Sequence, residues 1–303
     1  MASRPRYIVY LMLVLVMLLW SGNSVVARAI HEEVPPFTLA FWRWTGASLI
    51  AVPLAWRYLR RDWPEARKHW RMILLLGVIG VGSFNAFMYS GLQYTTAANS
   101  LLVQAASPAL VLLFDFIAFR NRPRVAQIVG VIVAAAGVGA IIFKGSFSAL
   151  FSMEFNRGDG LVMCAVMLWS LYTVLLRLRP AIHGFSFLAL TIVIGALCMA
   201  PLSFFELRHE SVTITPGVIA GVAYVIFLPS LVAYFLFNTA VDQIGAGDAG
   251  QVINLQPLFG ALLAALLLSE PIHGYHMAGM ALILAGIAIP LVRRRINFPA
   301  NSG

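Results

Sequence analysis

Acidic side chains are scarce in this sequence. There are twelve Asp and Glu in 303 residues, and charged residues of both signs make up only 11%. All twelve acids fall in predicted loops or near predicted helix ends, Asp115 and Asp248 reaching deepest. Carboxylates paired for acid–base chemistry inside the apolar body are therefore not expected. Cysteine is nearly absent too. Cys164 and Cys198 both lie within apolar runs, where a thiol behaves as a small hydrophobe and carries no redox signal. The six histidines sit in loops or at the ends of apolar stretches. His273 and His276 share a helix face, but no carboxylate or thiol cluster accompanies them, so no metal centre is expected. There is no Walker loop, no H-E-x-x-H and no Cys/His cluster. Enzymatic chemistry and a resident cofactor thus find no support. Charge this sparse also excludes an ordinary soluble globule, which carries roughly 25%.

What the chain has is hydrocarbon: 60% hydrophobic residues and a mean hydropathy of +0.86. A membrane span needs about 20 mostly apolar residues. Charged or Pro/Gly-rich punctuation marks off ten such stretches, at 7–29, 36–56, 70–91, 95–119, 123–143, 158–179, 183–205, 215–240, 245–268 and 272–292. The longest connections, near 57–69 and 144–157, are too short for a soluble catalytic domain. The net charge of +9 does not indicate nucleic acid, because the basic residues sort by side of the membrane. Arg4 and Arg6, the 57–71 cluster, Arg120, Arg122 and Arg124, Arg177 and Arg179, and Arg293 to Arg295 all fall on one face if the N-terminus is inside. The positive-inside rule then places both termini in the cytoplasm, with anionic lipid headgroups as the partner of that charge. The opening run with "ARA" at 27–29 resembles a cleavable leader, but its length, Trp20 and the repeat described next argue that it is kept.

An offset of 149 residues aligns the chain with itself without gaps. Leu19, Trp20, Ser21 and Arg28 meet Leu168, Trp169, Ser170 and Arg177; Pro108 meets Pro257; Gly130 and Gly137 meet Gly279 and Gly286. Five spans per half is an odd number, so the second copy enters the membrane from the opposite side. The loops agree, since "FRNRPR" in the first half is basic and its counterpart "LSEPIHG" has no Lys or Arg. The expected fold is all-α and integral to the membrane, with ten helices as two inverted five-helix repeats over 7–143 and 158–292. Such repeats are a recurring architecture of secondary transporters.

Several motifs together carry a family resemblance. "LLWSGNSVVAR" opens the first half, "FWRW" lies in the second span, "SP" and "QP" occupy 107–108 and 256–257, and "SEP" leads to the last helix with its "AGMALILAGI". The chain resembles EamA-type members of the drug/metabolite transporter superfamily over roughly 7–292. It is most similar to bacterial inner-membrane exporters of aromatic and other amino acids. That resemblance implies a ten-helix basket around a central cavity and efflux of amino acids or related metabolites. One position departs from symmetry: the acid before the proline in the second repeat is Glu270, whereas the first repeat has Asn121.

Polar residues within apolar spans are the candidates for lining the pathway. Asn85 and Tyr89 stand one turn apart, and 149 residues on stand Tyr234 and Asn238, the same pair in swapped order. Counted by helical rise, Asn85 lies about 22 Å from the cytoplasmic start of its span, toward the outside, and Tyr234 toward the inside. The two pairs are therefore expected at opposite mouths of one pathway, with interhelical hydrogen bonding as the alternative. Ser100, Gln104 and Ser107 form a polar seam before Pro108, and Gln251, Asn254 and Gln256 precede Pro257. They either line a cavity or satisfy the carbonyls that the prolines free. Trp20 and Trp169 fall near the bilayer middle, an uncommon place for tryptophan. With Ser21, Ser170 and Tyr172 they offer a flat apolar wall with polar tips, or plain core packing. Arg43 and Arg28 are the cations expected near the outer mouth, where either could hold a substrate carboxylate. For Arg43 the alternatives are snorkelling and pairing with Glu32, Glu33 or Glu206. With no acid at midplane, either facilitated export down the substrate gradient or coupling through an end-located group is expected, with Asp115 and Glu270 the candidates for the latter.

The function expected is export of small neutral or zwitterionic metabolites, amino acids with apolar or aromatic side chains first among them. The partners are that small molecule and the lipid bilayer. A broad drug exporter is the alternative within the class, although a membrane-embedded acid to attract cations is missing. A non-transporting receptor is the alternative outside it.

Overall fold

The computed structural model describes residues 5–95, 97–144, 156–268 and 274–296. Every regular element among them is helical. In lipid a backbone must satisfy its own hydrogen bonds, and long runs of Leu, Val, Ile and Ala do so as helices. The first half comprises α1 (Arg6–Ala29), α2 (Pro36–Lys68), α3 (Trp70–Gly77), α4 (Phe84–Leu92), α5 (Ala97–Gln104), α6 (Ser107–Phe119) and α7 (Val125–Ile142). The second comprises α8 (Arg157–Leu175), α9 (Gly184–Glu206), α10 (Pro216–Val225), α11 (Ala233–Ile244), α12 (Ala246–Gln251), α13 (Leu255–Leu268) and α14 (Gly274–Ile296). Six helical stretches are each long and apolar enough to cross a membrane: Arg6–Ala27, Trp70–Leu92, Val125–Ile142, Arg157–Leu178, Gly184–Glu206 and Pro216–Ile244. Large apolar side chains face outward on many helices, among them Leu11, Leu49, Ile132, Leu197 and Leu266, each at least 63% exposed. So much outward hydrocarbon suits lipid rather than water. The chain is a multi-pass membrane protein.

The connection expected at 57–69 is helical, because α2 continues through it to Lys68. Arg67 and Lys68 then lie in its last turn, where they complement the helix dipole.

Four interruptions mark the spans, and they come in two pairs. Segments of π-helix at Val78–Ser83 and Ile226–Val232 join α3 to α4 and α10 to α11. A break after Gln104 separates α5 from α6 just before Pro108, and a 3₁₀ turn at Val252–Asn254 stands before Pro257. Each pair is 149 residues apart to within two residues, so both halves interrupt the same helices. Prolines account for the second pair.

Two antiparallel helix pairs frame the molecule. In the first, α2 and α9 cap each other's N-termini. Glu206, at the end of α9, accepts from the backbone N–H of Phe37 (3.0 Å) and Thr38 (2.6 Å) and from the Thr38 hydroxyl (2.7 Å). Asp62, near the end of α2, accepts from the His183 N–H (2.7 Å) and the Ser186 hydroxyl (2.8 Å) at the start of α9. Burial acts to raise the Asp62 carboxyl, but these donors and Arg61 outweigh it and hold the group below its usual 3.8. In the second pair, α7 and α14 meet through glycines. A Cβ on Gly130 would lie 2.4 Å from the Gly286 carbonyl oxygen, and one on Gly137 would lie 2.6 Å from that of Gly279. Shifting each glycine of the Gly130–Gly286 contact by 149 into the other half returns Gly279–Gly137. The interface therefore maps onto itself, as a two-fold axis between antiparallel helices requires.

Candidate transport site

The two repeated tryptophans meet. Trp20 on α1 and Trp169 on α8 pack edge to face with ring centroids 5.1 Å apart, an arrangement favoured by the ring quadrupoles. Since 149 residues separate them, this contact also maps onto itself and lies on the relation between the halves. Tyr234 and Phe237 pack against both indoles at 5.2–5.8 Å, Phe84 and Tyr172 against Trp169, and Trp44 against Tyr234. Trp20 is 9% and Trp169 6% exposed, so the cluster is closed on itself in this conformation.

Beside each tryptophan stands a serine that reaches into the opposite half. Ser21 donates to the Gln256 carbonyl (3.0 Å), and Ser170 Oγ lies 3.3 Å from the Ser107 carbonyl oxygen. Gln256 and Ser107 each precede the proline of a broken span. The two ties are the same tie made twice, from each half to the interruption of the other. Ser170 Oγ also lies 2.8 Å from the Val166 carbonyl and 3.3 Å from Ser107 Oγ, contacts not recorded for Ser21 among the described residues.

The π segments supply the next layer. The Trp20 indole donates to the Pro229 carbonyl (3.1 Å), and the Tyr234 hydroxyl to the Gly80 carbonyl (3.2 Å). Pro229 and Gly80 are again 149 apart, but a different side chain serves each. Gly80 is also where the Tyr172 ring lies against the backbone, with 2.2 Å left for a Cβ. The Tyr172 hydroxyl donates to Asn238 Oδ1 (2.8 Å), and Asn85 donates to the Val81 carbonyl (2.6 Å). Arg43, 5% exposed, donates from Nε to Ser230 Oγ (2.5 Å) and lies 4.3 Å over the Trp44 ring. Ser230 in turn donates to the Val225 carbonyl, five residues back, as the π register allows.

Asn85 and Tyr234 were expected at opposite mouths. Their side chains reach adjacent carbonyls of one π segment, Asn85 donating to that of Val81 and Tyr234 to that of Gly80. Arg43 neither snorkels nor pairs with Glu206, which is occupied at the start of α2; among the described residues no carboxylate lies within 4.0 Å of it. In the first polar seam Gln104 donates to Ser100 Oγ (3.2 Å) and Ser100 to Met88 Sδ (3.8 Å), so that seam satisfies itself. In the second, Gln251 and Asn254 are buried with amide nitrogens that have no partner among the described residues. Asp115 is remote from this layer: it accepts from Asn121 (3.1 and 3.2 Å) and lies 3.7 Å from Arg177. Glu270 and the Arg28 side chain lie outside the described residues. Ser230 and Trp44 are site neighbours that the sequence reading did not single out. "FWRW" held the signal for Trp44, whereas nothing local marks Ser230.

The comparisons decide the family. The model of the EamA-like transporter family matches twice, at residues 7–143 and 156–292. The chain belongs to the EamA-like transporter family. Among similar proteins is an uncharacterized transporter of Archaeoglobus fulgidus, 28% identical over 289 residues covering 94% of this chain and 98% of the relative. A probable amino-acid metabolite efflux pump of Salmonella typhimurium is 25% identical over 301 residues, covering 95% and 96%. A crystal structure at 20% identity superposes with a TM-score of 0.78, covering 97% of this chain and all of the other, so the two share a fold. This is a membrane transporter.

Proposed function

We propose that the protein is a secondary exporter of amino acids or related small metabolites in a bacterial inner membrane, working by alternating access. In this reading ten helices form two inverted repeats, 7–143 and 158–292, with both termini cytoplasmic. The carrying observation is the reciprocal tie of Ser21 to Gln256 and Ser170 to Ser107 around the Trp20–Trp169 contact. Two halves that hold each other by equivalent contacts exchange conformations at little net cost, which is what alternating access needs. The substrate's apolar part inserts between the indoles, and Arg43 takes its carboxylate. The name of the Salmonella relative, an amino-acid metabolite pump, supports the substrate class.

Counterflow in proteoliposomes tests this reading, with a panel of amino acids and their N-acylated and deaminated derivatives. The purified chain exchanges at least one of them, empty liposomes none. Trp20→Ala and Trp169→Ala each lower that exchange about tenfold or more, equivalent to about 1.4 kcal/mol. Exchange of nothing in the panel, or full exchange in both variants, contradicts the assignment.

A further inference from the structure

Among the described residues, the buried side-chain polar atoms without a partner are mostly of one kind. Six buried side-chain atoms have no partner among the described residues, and four of them are N–H donors: Trp44 Nε1, Asn238 Nδ2, Gln251 Nε2 and Asn254 Nδ2. The Asn238 amide is oriented by the Tyr172 hydroxyl on its oxygen, which leaves the NH₂ free. Thr45 Oγ1 is a hydroxyl, which donates as well as accepts, and Gln243 Oε1 lies next to the last residue of α11. Val252 and Ile253, between Gln251 and Asn254, pack in the same core as Trp20 and Trp169. To these donors Arg43 adds a buried positive charge without a carboxylate.

Several backbone acceptors at this level already receive a donor. The Pro229 carbonyl receives Trp20, the Gly80 carbonyl receives Tyr234, and the Val225 carbonyl receives Ser230. Trp44 carries the Arg43 guanidinium on its ring. Asp62 and Glu206 are committed to helix N-termini, and Asp115 to Arg177 and Asn121. An ammonium group brought here would lose its water beside a guanidinium that, among the described residues, has no carboxylate within 4.0 Å. A carboxylate would meet a cation and unpaired N–H groups.

We infer that the carried molecule is a monocarboxylate with an apolar body and no positively charged nitrogen, such as an N-acyl amino acid, a 2-hydroxy or 2-oxo acid, or an arylalkanoic acid. Arg43 holds its carboxylate, the interior amides take its remaining acceptor oxygens, and the indoles take its apolar part. This inference rests on the exporter reading and narrows it, because a free zwitterionic amino acid matches only half of the site.

Four compounds of one skeleton separate the cases: N-acetylphenylalanine, phenyllactate, phenylalanine and phenethylamine. Each is loaded at the same concentration into proteoliposomes of the intact chain and traced by its own radiolabelled form. N-acetylphenylalanine and phenyllactate exchange at least tenfold faster than phenylalanine, and phenethylamine stays at the empty-liposome rate. In Arg43→Gln the advantage over phenylalanine falls to within twofold; the wild-type panel carries the test alone if that variant does not fold. Phenylalanine or phenethylamine exchanging as fast as the N-acetyl compound overturns the inference and leaves the exporter reading standing. Exchange of none of the four, while a free amino acid of the wider panel exchanges, also overturns it. Silence across both panels overturns the exporter reading itself.

Discussion

Gly80 shows how closely the centre is fitted. The Tyr172 ring occupies the space of its missing side chain, and the Tyr234 hydroxyl takes its carbonyl. Gly80→Ala places a methyl group 2.2 Å from a fully buried ring, with π-helical backbone on one side and Trp169 on the other. Overpacking of that kind costs about 1–3 kcal/mol. Thermal unfolding in detergent should show a lowered midpoint, and Tyr172→Leu in the same chain should recover most of the loss. At this scale the sequence was readable where a residue type was improbable in its place: two tryptophans deep in apolar runs and an arginine among Phe and Trp proved to be neighbours of one cluster. Asn85 and Tyr234, whose depths were counted along the helix axis, bring their side chains to the adjacent carbonyls of Val81 and Gly80. Side chains on a helix lean toward its N-terminus, so residues past the midpoints of oppositely running helices lean back toward each other. A tyrosine is long enough to close the remaining gap.

Helix ends are where the sequence said least. Neither Pro35, before α2, nor the local residues around it give a capping signature, because the cap is Glu206, 168 and 169 residues away. The π segments likewise have no local signal beyond Pro229, whereas the breaks before Pro108 and Pro257 were visible as prolines in apolar runs. Glu206→Ala or Asp62→Ala removes a charged cap and should each cost about 1–2 kcal/mol, measured as a lower unfolding midpoint near neutral pH. The Asp62 contribution also has a pH signature. A carboxyl held below its ordinary value stabilises the fold above that value and loses the effect as it protonates in the folded state. The gap between wild type and Asp62→Ala is therefore full above pH 3.8 and closes below it. A gap that widens on acidification would contradict the capping role.

At the scale of the molecule the 149-residue offset was the strongest statement in the sequence, and contacts that map onto themselves recur throughout the structure. Gly130 with Gly286 and Gly137 with Gly279, the Trp20–Trp169 pair and the two serine ties all obey it. The symmetry is broken where chemistry is expected: Arg43 faces no charged mate, since position 192 is Ile, and the two π carbonyls are served by different side chains. The offset cannot reveal such departures, because they arise from single substitutions in one half. The central claim is that this closed core opens to each side in turn. With Cys164 and Cys198 replaced by serine, Tyr234→Cys places one thiol at a position now 2% exposed. A membrane-impermeant thiosulfonate added to right-side-out and to inside-out vesicles measures its access from either face. The account predicts labelling from both faces, slowed in both by a transported carboxylate. Labelling from one face only, or from neither, would contradict it.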